Sequence, residues 1–189
     1  MEFTLLYWLQ SLHAPWLDQV MAALTFLGNA GWFWIVLGAV LFCARKTRGW
    51  GLAVLLSLLA GFLLGNCLLK PLVGRQRPCW IDPGIALLVA NPADFSFPSG
   101  HTLAGFEAAV SIFLYHKGWG SAALLLAGLI GFSRLYLFVH FPTDVLAGAL
   151  LGTGIALAVH RLMEMAGRIL ASRQNSACIF SPIRYNHIC

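Results

Sequence analysis

Residues 49–69 read GWGLAVLLSLLAGFLLGNCLL, 21 positions without a charged side chain, closed by Lys70. At a rise of about 1.5 Å per residue this run reaches across the roughly 30 Å hydrocarbon layer of a bilayer, so it predicts a membrane-spanning helix. The rest of the chain has the same character. Of 189 residues 59% are hydrophobic and 10% are charged, where a soluble domain carries about 25% charged residues. The length suits one domain of about six spanning helices and one substantial loop. The fold class predicted is all-α, a polytopic membrane bundle.

Working outward, the uncharged stretch before Arg45 is interrupted by Gly28-Asn29-Ala30-Gly31, which divides it into helices over about 4–27 and 32–44, with Pro15 tolerated near the start of the first. Residues 78–97 hold Pro78, Pro83, Pro92, Asp82 and Asp94 and read as a loop. Further helices are expected over about 100–115, 118–139 and 143–163. Residues 1–171 form the membrane domain in this reading, and 172–189 a polar, disordered or surface-lying cytoplasmic tail. The N-terminal segment lacks the basic start of a cleaved signal and reads as a retained helix. The five cysteines (43, 67, 79, 178, 189) show no metal-ligand spacing.

Lysine and arginine placement sets the orientation. Arg45, Lys46 and Arg48 join the second and third helices, which puts that turn in the cytoplasm. Lys117 and the tail residues Arg161, Arg168, Arg173 and Arg184 then fall on the same side. Lys70, Arg75, Arg77 and Arg134 fall on the other, against the positive-inside bias. Cations kept on the disfavoured face imply an anion there. A net charge of +5 without a basic stripe argues against nucleic acid.

These cations sit among groups suited to phosphate. Lys70 supplies a point charge and Arg77 a planar fork. Pro98-Ser99-Gly100-His101 opens a helix, whose free N–H groups and dipole favour an anion; Gly100 admits close approach, and Ser99 suits an N-cap. Asp144 follows His140 by four residues, so its carboxylate can accept from one ring nitrogen and leave the other to attack. Arg134 reaches the same pocket from the helix before. Arg75 is a secondary candidate. Glu107, the intramembrane carboxylate, reads as an interhelical hydrogen-bonding group with a secondary claim on a proton or substrate path. The tryptophans mark membrane interfaces, Trp80 beside the site among them.

Read together, Lys70…Arg77-Pro78, Pro98-Ser99-Gly100-His101 and Ser133-Arg134…His140…Asp144 resemble the signature of the type 2 phosphatidic acid phosphatase superfamily, K-x6-R-P, P-S-G-H, then S-R-x5-H-x3-D. The resemblance implies six membrane helices with the active site at the extracytoplasmic face of the cell membrane. It implies hydrolysis of a lipid phosphate with no cofactor and no metal. His140 would be the nucleophile that becomes phosphohistidine, Asp144 its orienting partner, and His101 the general acid. Lys70, Arg77, Ser99, the Gly100 N–H and Arg134 would hold the phosphoryl oxygens. Two histidines in opposite protonation states imply a bell-shaped rate profile.

The motifs read the phosphate and not the tail. Undecaprenyl diphosphate is the expected substrate, with phosphatidate or phosphatidylglycerophosphate as the alternative. A catalytically silent lipid-phosphate binder is the reading from another class, and the nucleophile with its orienting acid argues against it. A haloperoxidase would need vanadate in the phosphate site, which membrane burial disfavours. Oligomeric state is not encoded in these motifs.

Overall fold

The computed structural model describes residues 2–179, with side-chain surroundings through residue 172. The expectations for Arg184, Cys189 and the end of the tail lie outside the described residues, as do the side chains of Arg173 and Cys178. Helices α1 (Glu2–Gln10), α2 (Pro15–Gly28), α3 (Trp32–Cys43) and α4 (Arg48–Gly61) lead into a π-helical stretch, Phe62–Leu69, and the single turn α5 (Lys70–Val73). The short α6 (Pro78–Ile81), α7 (Gly100–Tyr115), α8 (Lys117–Tyr136) and α9 (Pro142–Ile179) follow. No strand occurs among the described residues.

Four helical stretches among the described residues are long and apolar enough to cross a membrane: Pro15–Cys43, Arg48–Ile81, Lys117–Tyr136 and Pro142–Ser172. Leu63, Leu125 and Leu150 are more than half exposed on the outside of the bundle, as side chains facing lipid are. The protein is therefore a multi-pass membrane protein. The 16-residue α7 runs through its centre, packed against α4, α8 and α9. Small residues allow this close approach. A Cβ on Gly148 would lie 2.8 Å from the Ser99 carbonyl oxygen, and one on Gly152 would lie 2.7 Å from that of Leu103.

The N-terminal part departs from expectation. Where one helix over 4–27 was expected, the chain breaks at Ser11–Ala14 and Pro15 opens α2, since proline fits the first helical turn and not the interior. Helices α2 and α3 lie in one candidate span, Pro15–Cys43. Asp18 accepts from the Tyr136 hydroxyl, Asn29 meets His101, and Trp34 lies beside Gly105. The chain thus descends from the end of α8 along α7, bending at Ala30 and Gly31, which take φ of 50° and 67°.

Three further boundaries differ. Helix α8 stops at Tyr136 because Phe138 takes a φ of 59°, turning the chain toward His140. A short helix, α6, stands in the loop over 78–97. Helix α9 continues to Ile179 instead of ending near 163. His160 packs edge-on against Tyr115 at the far end of α7, so the later turns of α9 extend past the bundle.

The two cation populations occupy opposite ends. At one end Trp50 stacks on Tyr115, which brings the turn holding Arg45, Lys46 and Arg48 beside Lys117. At the other, Leu6, Met21, Cys79, Tyr136, Phe138 and Phe141 form an apolar cluster. That cluster supports the segment carrying His140 and seats α1 on the same end.

Candidate active site

The segment between α8 and α9 presents His140, which is 1% exposed. Its Nε2 lies 3.1 Å from Arg77 Nη1. Behind it, Nδ1 is 3.4 Å from the Ser96 hydroxyl and 3.6 Å from Asp144 Oδ2. The direct ring-to-carboxylate hydrogen bond expected from the i, i+4 spacing is thus stretched, and Ser96 bridges the pair by donating to Asp144 Oδ2 at 2.5 Å. The Phe141 N–H donates to the same oxygen at 2.8 Å, and Arg75 Nη1 donates to Oδ1 at 2.7 Å. Asp144 is therefore fixed on both oxygens. Burial pushes the His140 imidazole down to about 3; nearby Asp144 resists, while Arg77 and Arg134 reinforce the shift. The ring is neutral at ordinary pH, as a nitrogen nucleophile must be.

Arg77, 2% exposed, is held by main-chain oxygens. Its Nε donates to the Asp94 carbonyl at 2.7 Å and its Nη1 to the Val139 carbonyl at 2.8 Å. Its Nη2 donates to Asp94 Oδ1 at 2.7 Å, and Lys70 Nζ donates to Asp94 Oδ2. Burial would raise the Asp94 carboxyl, but Lys70 and Arg77 outweigh it and hold it at about 2. Arg134 donates to the Thr25 hydroxyl and keeps a buried Nε without a partner. Arg75 stands behind Asp144, donating to Glu2 at 2.7 Å and lying 4.2 Å from the centre of the Phe141 ring.

Ser99 precedes α7, yet its hydroxyl does not cap the helix; it accepts from Thr102 at 3.0 Å. The first turn, beginning at Gly100, keeps no side-chain cap. Its Ser99 N–H donates to the Asp144 carbonyl at 3.1 Å, locking α7 to the start of α9. His101 Nε2 lies 3.0 Å from Asn29 Oδ1. Asn66, from the π-helical stretch, stands beside Gly100 with a buried oxygen that has no partner.

Lys70, Arg77, Gly100, His101, Arg134 and His140 all line one cavity of ≈ 960 Å³. Ile35, Leu55, Leu58, Leu59 and Phe62 make another part of its wall apolar. A second cavity of ≈ 400 Å³, bordered by Thr25, Asn29 and Asn91, meets the first at His101 and Arg134. Glu107 lies in the large cavity at 1% exposure. The interhelical hydrogen bond expected of it is absent: its Oε1 has no partner and rests against Gly61. The arrangement can hold a phosphoryl group between fixed cations with a neutral imidazole at one side.

Sequence reading missed Asp94, Ser96, Asn29, Thr25 and Glu2. Ser96 and Asp94 lie within five residues of Ser99, so proximity to that motif was their available signal. Nothing local marks Asn29, Thr25 or Glu2, whose partners are at least 72 positions away.

Comparison with known proteins places this geometry. The sequence profile of the PAP2 superfamily matches residues 50–168. The bacitracin transport permease protein BcrC of Bacillus licheniformis is 36% identical over 137 residues, 71% of this chain and 67% of that protein. The undecaprenyl-diphosphatase of Sulfolobus acidocaldarius is 34% identical over 136 residues, 70% of this chain and 66% of its own. The chain thus spans about two thirds of the length of these relatives. The crystal structure of a transmembrane PAP2-type phosphatidylglycerolphosphate phosphatase from Bacillus subtilis superposes with a TM-score of 0.72 at 34% identity, over 86% of this chain and 84% of that one.

Proposed function

From the premise that this chain belongs to the PAP2 superfamily, we propose that it is a membrane enzyme that hydrolyses a lipid phosphate or diphosphate through a phosphohistidine, independently of metal. One observation carries the reading. His140 Nε2 faces the cavity 3.1 Å from Arg77 while its other nitrogen is backed by Ser96 and Asp144.

His140 Nε2 attacks phosphorus as the bond to the leaving oxygen breaks, and His101 gives that oxygen its proton. Lys70, Arg77, Arg134 and the first N–H groups of α7 hold the phosphoryl oxygens as charge develops, which is where phosphoryl transfer needs help. Asp144 supports the charge on the phosphorylated imidazole. Water, deprotonated by His101, then attacks phosphorus, releasing phosphate and restoring His140. Residues 1–171 carry this activity, and 172–189 form a cytoplasmic tail.

The lipid we propose is undecaprenyl diphosphate, hydrolysed at the outer face of the plasma membrane. The name of the Sulfolobus relative supports the lipid, and the placement of basic residues supports the face. Phosphatidylglycerophosphate is the second reading, favoured by the Bacillus structure. The test is phosphate release by purified protein in excess EDTA, with both lipids and phosphatidate in parallel. Turnover that survives EDTA and disappears in His140→Ala is the expected result. Binding of these lipids without turnover would leave a silent binder.

A further inference from the structure

We propose that Asp94 is an internal anion that a substrate's phosphoryl group must displace from Lys70 and Arg77, and that it thereby sets the least charge a headgroup must carry. The proposal rests on the reading of the large cavity as a phosphoryl site.

The carboxylate sits where that group would have to go. One oxygen accepts from Lys70 Nζ and the other from Arg77 Nη2 at 2.7 Å. The remaining guanidinium donors are engaged as well: Nε by the Asp94 carbonyl at 2.7 Å, Nη1 by the Val139 carbonyl at 2.8 Å and beside His140 Nε2 at 3.1 Å, and Nη2 also by the Phe95 carbonyl at 3.4 Å. An incoming oxygen gains Arg77's outward-facing donor only by taking Asp94's place. The same guanidinium lies 3.1 Å from His140 Nε2, so the group that binds the carboxylate through Nη2 also faces the attacking nitrogen through Nη1.

Exposure distinguishes a competitor from a fixed support. The side chains of Lys70 and Arg77 are 9% and 2% exposed, whereas that of Asp94 is 54% exposed. The cations are locked in the wall and their anion is half in water, so a carboxylate that swings out regains hydration while its partners stay in place. The carboxyl remains ionised through ordinary pH, because Lys70 and Arg77 outweigh burial.

The exchange selects by charge. A bound carboxylate lowers the fraction of sites ready for ligand, and the apparent dissociation constant rises by the inverse of that fraction. A phosphate monoester with two charges, or a diphosphate with more, gains more from the two cations than Asp94 does. A phosphodiester has one charge and no such advantage. Asp94 thus keeps the phosphodiester headgroups of bulk phospholipid out of a site that opens toward lipid.

Calorimetric titration of the full-length protein in detergent tests this, with inorganic phosphate, pyrophosphate and dimethyl phosphate against wild type, Asp94→Asn, Asp94→Ser and Asp94→Glu. Removing the carboxylate is expected to tighten inorganic phosphate by about tenfold or more and to bring dimethyl phosphate into the measurable range. Asp94→Glu, which keeps the charge, is expected to stay within about threefold of wild type. Unchanged or weaker phosphate binding in both Asn and Ser variants would overturn the proposal, assigning Asp94 to support of the cations. Equal tightening in Asp94→Glu would overturn it as well, by tracing the gain to a loosened loop. Lipid turnover is read separately: its absence in wild type counts against the phosphatase reading and leaves the affinity order to judge Asp94.

Discussion

Asn29 Oδ1 lies 3.0 Å from His101 Nε2, which ties the left-handed bend between α2 and α3 to the first turn of α7. The bend at Ala30 and Gly31 therefore shapes the backbone beside a residue that holds the proposed general acid. Asn29 precedes the matched segment 50–168, so the N-terminal pass contributes to the site along with the motifs.

Asn29→Ala is expected to lower kcat by about tenfold with little change in KM, the scale of one lost hydrogen bond in the transition state. The alkaline limb of the rate profile should move as well, because the proton on His101 loses its partner. An alanine variant with the wild-type pH profile would assign Asn29 to packing alone.

Ser96 joins His140 to Asp144, and its removal leaves the 3.6 Å gap between them unbridged. Ser96→Ala should cost about 10- to 100-fold in kcat, as expected for a hydrogen bond to a charged group. Steady-state kinetics on a soluble short-chain lipid phosphate would show this as a fall in kcat at constant KM.

Burial of His140 fixes the sign of two pH effects. The folded protein holds the ring at about 3, whereas an unfolded chain holds it near 6.5. Between these values the unfolded state binds the extra proton, so this group's contribution to stability is complete above about 6.5 and is lost as pH falls toward 3. Thermal unfolding should show a Tm that declines on acidification through that window. The rate profile remains bell-shaped, with the acid limb of the free enzyme well below 6.5; an acid midpoint at an ordinary histidine value would contradict a buried, neutral nucleophile.

Arg75 neutralises Asp144 from behind and binds Glu2 and Thr143. Arg75→Ala should destabilise the protein by about 1.5–3 kcal/mol, because a buried carboxylate loses a charged hydrogen bond. Denaturation in mixed micelles measures the loss. Glu2→Gln should cost less, since its ion pair is partly exposed.

Gly152→Ala should disrupt the α7–α9 contact, because its Cβ would fall 2.7 Å from a carbonyl oxygen in a packed interface. Overpacking of this kind costs about 1–3 kcal/mol. Gly154→Ala, with nothing within 4 Å of the added carbon, is the matched control and should be neutral in the same assay.

The site was legible in the sequence to the extent that its members carry charge in places where a membrane protein avoids it. Lys70, Arg77 and Arg134 stood out by that rule, and His101, His140 and Asp144 by spacing. Lys70, Arg77, His101, Arg134 and His140 all line one cavity. Asp94 and Ser96 carried no such mark, since polar residues are unremarkable in a loop. Glu107 was noticed, but its isolation depends on facing Gly61 across an interface, which no one-dimensional pattern encodes. Hydropathy likewise found the apolar stretch before Arg45 and could not say that α2 and α3 cross together. That depends on the φ values at Ala30 and Gly31.

The π-helical turns over Phe62–Leu69 place Phe62, Asn66, Cys67 and Lys70 on the cavity wall. Each residue of an α-helix advances the chain by about 100°, and a π-helical bulge absorbs an added residue by widening the turn. Restoring α-helical pitch here without removing that residue would turn Lys70 by roughly a quarter-circle or more away from Arg77, with every motif residue still present. The lysine's usefulness is thus a matter of helical phase. A variant or relative that matches the motifs letter for letter, but is out of step here, would carry the signature and lack the cradle.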